Sequence, residues 1–436
     1  MTDSSRPRVL VVVGTRPEAI KMAPVLTALR ARSSEIESLL VLTGQHDDLV
    51  RQVLDAFELT PDHNLKLMKP GQTLYDVAEG ALSGLGRIIR ETGAQALLVQ
   101  GDTASVCFGA LAGFFEKIKV GHVEAGLRSG DKFAPWPEEI FRRLTDVLTD
   151  WYFAPTQPAA ENLLVENTPR GAVFVTGNTV VDALGHIAGI ERPFSDPALA
   201  AVEASGRRLV LLTAHRRESF GEPLREIFGA IRTLADRHED IEVVYPVHPN
   251  PNVKGPAHEL LADHPRIRLT DPVDYFDLVR ALKLADLVLT DSGGIQEEAP
   301  SFGTPVLVLR EVTERPEGVE AGVAELVGHD AETILRASTA RLEQGRGGAH
   351  GGGVDEASAP GLVPVSAGAT NPYGDGAAAE RIADIVVADL TGVARRMADW
   401  AGPAMDPPLK TADSALPKAG GGRGGESSVG TLGGSG

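Results

Sequence analysis

The sequence contains one cysteine, Cys107, in 436 residues, so the chain can form no intramolecular disulfide. Proteins with so little cysteine usually work in a reducing compartment, and we expect a cytoplasmic protein in which Cys107 is a small buried residue. Long apolar runs are also missing. The first, Val9–Val13, is far shorter than a membrane span, and no later run reaches spanning length, so we expect no membrane partner.

Clusters of lysine and arginine are absent as well, and the formal net charge is −18. This balance argues against a nucleic-acid partner, although it allows a local basic pocket for a small anion. The hydrophobic content of 42% is ordinary for a soluble globular protein. A chain of this length exceeds one typical hydrophobic core, so we expect two domains.

Several cofactor and nucleophile motifs do not occur. Gly14 is followed by Thr-Arg-Pro-Glu after the first apolar run, in place of the G-x-G-x-x-G turn of dinucleotide-binding enzymes. There is no G-x-S-x-G motif, no cysteine and histidine spacing typical of zinc, and no D-x-D arrangement for magnesium. We therefore expect no bound metal and no redox cofactor.

What is present is a repeated alternation of apolar strands with amphipathic helices. It runs through RVLVVVG, SLLVLTG and AQALLVQGD, and begins again at RLVLLTA, EVVYPVH and DLVLTDSGG. Such alternation predicts an α/β fold of two doubly wound, Rossmann-like domains that face each other across a cleft. We assign residues 1–185 to the first domain and 186–375 to the second. The glycine-rich stretch 345–370 is interpreted as a flexible insertion, and 402–436 as a disordered tail.

The stretch from His122 to Asp146 carries the densest charge. It holds three arginines and, before the final Asp146, the four carboxylates Glu124, Asp131, Glu138 and Glu139. Acids and bases on loops after buried strands are typical of α/β active sites. The alternative is a solvated helix with i,i+4 ion pairs between Glu138 and Arg142 and between Glu139 and Arg143.

Other motifs predict an anion site in the second half. Asp291-Ser292-Gly293-Gly294 follows an apolar strand, so its backbone amides can contact a phosphate, or Ser292 can simply cap a helix. Glu297 and Glu298 would then reach neutral hydroxyls such as those of a ribose. Arg16 and Lys21 lie at the start of the first helix, and His215 and His248 each end a strand.

The motifs together resemble one known family. GTRPEAIKMAPV, QGDTAS, HVEAGLRSGD, PWPEE, VTGNTVVDAL, AHRRESFGEPL, TDSGGIQEEAPSFGTPVLVLREVTERPE and NPYGDG are similar to the non-hydrolysing UDP-N-acetylglucosamine 2-epimerases of bacteria. The similarity spans roughly residues 8–344 and 371–395. It implies a fold of the glycosyltransferase-B type in which the C-terminal helix, within 376–400, completes the first domain. It also implies a homodimer, a UDP-sugar substrate and no cofactor.

The resemblance further implies elimination of UDP after removal of the C2 proton, followed by re-addition. By motif matching, the acid/base candidates are Asp102, Glu124 and Glu138, with the direction of each left open. The resemblance implies that Arg142 and His215 assist them, unless Arg142 only positions Glu138. The substrate-binding candidates are Arg16, Lys21, Gln72, Arg128, His215, Leu278, Ser292, Gly293, Gly294, Glu298 and Arg315.

Some relatives are activated by substrate at a second site, for which Gln45, His46 and His248 are the candidates, with a contribution from Gln72. Gly71 replaces a basic residue of some relatives, which argues against strong activation. Leu278 stands where some relatives place an aromatic residue against the uracil. The open alternatives are another UDP-acetamido sugar, a hydrolysing 2-epimerase, a glycosyltransferase and a non-catalytic UDP-sugar sensor.

Overall fold

The apolar runs form parallel strands in the computed structural model, which describes residues 6–44, 47–69, 71–344 and 371–402. Val9 to Val13 are all buried, with exposed fractions of 1% or less. Leu10 and Val12 face one layer of helices, whereas Val9, Val11 and Val13 face the other. Strands covered on both faces in this way read as continuous apolar runs, which is why these segments are recognisable in the sequence.

The first half contains the strands β1 (Arg8–Val13), β2 (Glu37–Leu42), β3 (His63–Asn64), β4 (Ala96–Gln100), β5 (Lys119–Val123), β6 (Trp151–Ala154) and β7 (Val173–Val175). Its helices are α1 (Arg16–Ala31), α2 (Asp47–Ala56), α3 (Leu74–Thr92), α4 (Ala104–Phe115), α5 (Glu138–Val147), α6 (Gln157–Val165) and α7 (Thr179–Ala188). Within the described ranges these strands form a parallel sheet in the order β3-β2-β1-β4-β5-β6-β7.

The second half repeats the arrangement. Its strands are β8 (Arg208–Thr213), β9 (Ile241–Pro246), β10 (Ile267–Thr270), β11 (Leu287–Thr290), β12 (Val306–Val308) and β13 (Ala324–Leu326). Its helices are α8 (Pro197–Ser205), α9 (Glu222–Arg237), α10 (Pro251–Leu261), α11 (Tyr275–Leu284), α12 (Gly293–Glu298), α13 (Pro316–Glu320) and α14 (Ala331–Gln344). In the described part of the chain, the strand order is β10-β9-β8-β11-β12-β13. Both sheets thus have the doubly wound order, and the predicted fold class is confirmed.

The last described helix, α15 (Ala378–Thr391), packs against α1 and α7 of the first half. Asp182 of α7 accepts hydrogen bonds from the backbone N–H groups of Ala378 and Ala379, at 3.3 and 2.8 Å. Arg32 pairs with Asp384 at 2.9 Å. The proposed domain boundaries near 185 and 375 stay predictions. The insertion 345–370 and the tail beyond residue 402 lie outside the described residues.

Strand β5 ends at Val123 because Glu124 adopts a left-handed backbone conformation, with φ +69°. The chain therefore turns away from the sheet at Glu124. Among the helices that the structure describes, none is long and apolar enough to cross a membrane.

Candidate active site

The loops after β1, β4 and β5 surround a cavity of about 250 Å³. This position follows from the parallel sheet, because the carboxyl ends of neighbouring strands meet at one edge. The cavity is lined by Thr15, Pro17, Glu18, Lys21, Gln100, Gly101, Asp102, Thr103, Glu124, Leu127, Arg142 and Arg315. All of these residues belong to the first half except Arg315, which the second half contributes.

Glu124 is held on both carboxylate oxygens. Lys21 Nζ lies 2.6 Å from Oε1, and the Gln100 side-chain amide donates to Oε2. The residue is only 8% exposed. A non-glycine residue at positive φ typically costs about 1–3 kcal/mol and is found most often at functional sites. The strain and the two partners fix the direction in which this carboxylate points.

Asp102 forms an ion pair with an arginine that is distant in the chain. Arg142 of α5 contacts Asp102, forty residues earlier, and lies 3.4 Å from Glu139. The alternative of i,i+4 pairs on α5 is therefore wrong, because Arg142 reaches across to the loop after β4 and Arg143 lies 3.7 Å from Glu166. Glu138 begins α5, and its Oε2 is buried without a hydrogen-bond partner among the described residues.

Glu18 is a cavity residue that our sequence analysis missed. Its carboxylate accepts hydrogen bonds from Gly14 N–H at 2.7 Å and from the hydroxyls of Thr15 and Thr103, both at 2.9 Å. Burial raises the pKa of Glu18 to about 7, although these hydrogen bonds act in the opposite direction. The only sequence signal was an acid in the first turn of a helix, which surface helices also carry. Glu18 joins the loop after β1 to the loop after β4.

Ion pairs connect the cavity to the second half. Lys21 Nζ lies 3.7 Å from Glu297 Oε2, and Arg315 donates to Glu297 Oε1. Asn178 also donates to Glu297 Oε2, at 3.2 Å. Glu297 is 2% exposed, so its oxygens are engaged within the protein. Our expectation that Glu297 reaches a ligand hydroxyl is therefore wrong.

At the edge of the second sheet, Asp291 organises the turn after β8. Its Oδ2 accepts from the backbone N–H groups of His215 and Arg216, at 2.6 and 2.7 Å. His215 Nδ1 lies 3.4 Å from Asp291 Oδ1, and the His215 ring stacks on His248 with centroids 5.4 Å apart. Burial lowers the pKa of His215, which Asp291 opposes. The ring is thus fixed in orientation at the strand tip.

The backbone at Gly293 faces two guanidinium groups. A Cβ atom placed there would lie 3.8 Å from Arg216 Nη2 and 3.9 Å from Arg315 Cζ. Ser292 precedes α12, and its side chain makes no capping hydrogen bond to the described backbone. Arg216 was not among our predicted site residues, although it directly follows His215. Two arginines beside a glycine-rich turn suit a phosphate group.

Glu298 and Tyr275 form a second polar group nearby. Glu298 is 8% exposed and Tyr275 is 5% exposed. Glu298 Oε2 and the Tyr275 hydroxyl have no hydrogen-bond partner within the described part of the chain. Burial raises the pKa of Glu298 to about 8, with Glu297 adding to the effect and Lys21 and Arg16 opposing it. Such unpaired buried groups are typical of places where a ligand hydroxyl or a water binds.

The comparisons with known proteins decide the family. The family model described as UDP-N-acetylglucosamine 2-epimerase matches residues 27–387. The chain belongs to this family. The UDP-N-acetylglucosamine 2-epimerase of Bacillus subtilis is 44% identical over 377 residues, which cover 86% of this chain and 94% of that protein.

Two solved structures have the same fold over nearly their whole length. The Neisseria meningitidis UDP-GlcNAc 2-epimerase, solved with UDP-GlcNAc bound, is 39% identical with a TM-score of 0.73 and covers 87% of this chain and 99% of that chain. The Methanocaldococcus jannaschii UDP-GlcNAc 2-epimerase, solved with UDP-GlcNAc and UDP, is 32% identical with a TM-score of 0.67 and has the same coverage of both chains. Both relatives are therefore similar to this chain in fold as well as in sequence.

In this member of the UDP-N-acetylglucosamine 2-epimerase family, several predicted residues lie apart from the cavity. Arg128 is occupied by Glu166 and by Asp146, with its Nη2 2.7 Å from an oxygen of each. Its guanidinium also donates to the Leu127 carbonyl, so it is engaged within the first half, and its role in substrate binding stays a prediction. Gln72 precedes α3 and accepts a hydrogen bond from Lys69 N–H at 2.9 Å.

The structure describes only some of the predicted regulatory residues. Gln45 and His46 lie outside the described residues, whereas His248 stacks on His215. Leu278 lies on α11 and packs half-buried against the apolar core. Among the described residues, no group of three or more histidine, cysteine, aspartate or glutamate side chains is arranged to hold a metal ion.

Proposed function

We propose that this protein interconverts UDP-N-acetylglucosamine and UDP-N-acetylmannosamine by eliminating UDP and adding it back. The observation that carries the proposal is the cavity itself. Asp102 and Glu124 line it together, and Arg315 of the second half lines the same space. Acid/base groups and a cationic group for a phosphate thus meet where the two halves adjoin. Family membership and the UDP-GlcNAc bound to the Neisseria relative support the substrate class.

The first step removes the C2 proton of the sugar. This proton is weakly acidic, so the base must be positioned closely and partly desolvated. Asp102 and Glu124 meet this requirement, since each is held by a cationic side chain at the cavity. One carboxylate takes the proton as the C1–O bond to UDP breaks, which leaves a C1=C2 double bond in a 2-acetamidoglucal.

The departing UDP gains negative charge on its β-phosphate. Cationic donors that are already in place stabilise such charge without reorganisation. Arg216 and Arg315 flank Gly293, and His215 lies at the same sheet edge, so we assign the phosphates to this region. Glu298 and Tyr275, with Arg16 nearby, are assigned to the ribose hydroxyls.

The second step reverses the first on the other face. UDP oxygen attacks C1, and a carboxylic acid delivers a proton to the opposite side of C2. No water is consumed, and the atoms balance as an isomerisation. The resemblance to non-hydrolysing epimerases supports this reaction over hydrolysis.

We also propose a homodimer, which the exposed apolar residues Phe114, Phe115 and Val147 on α4 and α5 support.

Incubation with UDP-N-acetylglucosamine and no added cofactor, followed by anion-exchange chromatography, tests the proposal. We expect UDP-N-acetylmannosamine to appear, and the reverse incubation to give UDP-N-acetylglucosamine, with the total of UDP-sugars constant. Free N-acetylmannosamine and UDP in equal amounts would identify a hydrolysing enzyme. No change with either sugar would overturn the assigned substrate.

A further inference from the structure

We infer that His122 and Asp146 are a positioning pair that holds the backbone beside Asp102 and docks α5 against it. The inference rests on the proposed function, because Asp102 acts there as an acid/base group. His122 lies on β5 and is fully buried, and Asp146 lies in the last turn of α5 and is 5% exposed. Neither lines the cavity, so any effect on the reaction must pass through other residues.

The His122 ring makes two hydrogen bonds, one to Asp146 and one to the backbone. His122 Nδ1 lies 2.7 Å from Asp146 Oδ1, and Nε2 lies 2.8 Å from the carbonyl oxygen of Gly101. Gly101 is the residue immediately before Asp102 and has a φ of +81°. Glycine has wide conformational freedom, so an anchor at this position determines where the following side chain points.

Both partners of the imidazole are hydrogen-bond acceptors. A carbonyl oxygen can only accept, and an ionised carboxylate can only accept. Burial opposes ionisation of Asp146, but His122 and Arg128 more than offset it and lower its pKa. The other polar group facing Asp146 is Tyr152, whose hydroxyl donates to the Asp146 carbonyl at 2.8 Å. The His122 ring therefore bridges two acceptors, one on α5 and one in the loop after β4.

The pair also connects two parts of the active site. Asp146 is on the same helix as Arg142, which contacts Asp102, and Glu138, which begins that helix. On the other side of Asp102, Thr103 donates to buried Glu18. Asp102 thus lies between two anchored neighbours. Loss of the His122 link is expected to free Gly101 and to loosen α5 at the same time.

The first test uses amide hydrogen exchange of the full-length wild type and of His122→Gln, measured by mass spectrometry. We expect exchange at residues 100–103 and over α5 to be about ten-fold faster in His122→Gln, because local opening becomes easier when the anchor is lost. Exchange within about two-fold of wild type in both segments would overturn the inference. This readout does not depend on catalysis, so it stands apart from failure of the proposed function.

The second test is kinetic, with UDP-N-acetylglucosamine as substrate. A misplacement of about 1 Å costs on the order of 100-fold in rate, so His122→Gln and Asp146→Asn should each lower kcat by about that factor. KM and the affinity for UDP should stay within about two-fold, because the phosphate groups lie in the other half. The matched control is His258→Asn, an exposed histidine of α10. An unchanged kcat, or an equal loss of UDP affinity, would contradict the positioning role.

Discussion

The two halves of this protein have the same strand order but opposite chemistry at their carboxyl edges. The edge of the first sheet carries the acids Glu18, Asp102 and Glu124, whereas the edge of the second carries His215 and Arg216. One edge is suited to moving protons and the other to holding an anion. The comparison shows that a repeated fold does not repeat its function, because function resides in the loops that follow the strands.

Charged side chains at each edge are also balanced by opposite charges from the other half. Lys21 of the first half contacts Glu297, and Arg315 of the second half lines the acidic cavity. Buried charges are tolerated only when they are paired, so each edge depends on residues from the other. Substitutions at these residues should affect acid/base catalysis, the contact between the halves and nucleotide binding to different extents.

The largest effect is expected for Glu124→Gln, which keeps the shape of the side chain and removes the base. General acid–base catalysis contributes about 10²–10⁴-fold, so kcat should fall by roughly 10³-fold. UDP affinity, measured by calorimetry, should change by less than about three-fold. The control is Glu259→Gln, a surface glutamate paired with Arg225. A kcat within ten-fold of wild type would remove Glu124 from the chemistry.

Replacement of Lys21 by methionine should destabilise the contact between the halves. It leaves Glu124 and Glu297 without their shared cation, and breaking a buried ion pair costs about 3–5 kcal/mol. Because Gln100 and Arg315 remain, we expect a loss near 3 kcal/mol in the free energy of unfolding, measured with urea. Lys254→Met, on the exposed side of α10, is the control. Equal stability of the two variants would mean that the halves do not depend on this cation.

Arg216→Ala should act mainly on the nucleotide. A hydrogen bond to a charged group is worth about 1.5–3 kcal/mol, so UDP affinity should weaken by roughly 10–100-fold. The acidic edge is untouched, and kcat should therefore fall less than the affinity. Arg217→Ala is the matched control, since this neighbour is exposed. A loss confined to kcat would place Arg216 with the acid/base groups instead.

The last effect concerns Glu298 and appears only when the pH is changed. Its pKa is about 8 in the folded protein against 4.5 for an ordinary glutamate, so the folded state binds more protons between these values. The free energy of unfolding therefore falls as pH rises from about 4.5 to 8, by roughly 1.4 kcal/mol for each pKa unit. A glutamine at position 298 cannot ionise, so its contribution to the free energy of unfolding should not change over this pH range.

Glu298→Gln should accordingly melt close to wild type at pH 5 and above it at pH 9. Thermal denaturation of both proteins across this range measures the difference. Glu239→Gln, at an exposed position, should show no such divergence. Parallel melting curves for Glu298→Gln and wild type would show that the carboxyl group is ionised at neutral pH.

The sequence predicted the fold because buried parallel strands appear as apolar runs, as Val9–Val13 does. Motif matching also pointed to Asp102 and Glu124, which lie within two residues of the ends of β4 and β5. It failed where partners are distant in the chain. The contact of Arg142 with Asp102 joins residues from different elements, and the link from His122 to Gly101 depends on the register of β4 and β5.

The surroundings of two buried acids were not predicted, for a related reason. Glu18 was missed because an acid in the first turn of a helix is common on exposed helices, and Glu297 was expected to face a ligand. Their partners are set only when the loops after β1 and β4 and the helices α1 and α12 come together. The tertiary structure determines both the partners and the pKa of a buried carboxyl group, and a linear sequence does not display it.

The most direct test of the central claim is proton NMR of the purified protein with UDP-N-acetylglucosamine in D₂O, without added cofactor. We expect UDP-N-acetylmannosamine signals to appear while the C2 proton signals of both sugars disappear, because the acidic edge exchanges this proton with solvent. Formation of the epimer with its C2 proton fully retained would contradict proton removal by the Asp102 and Glu124 cavity.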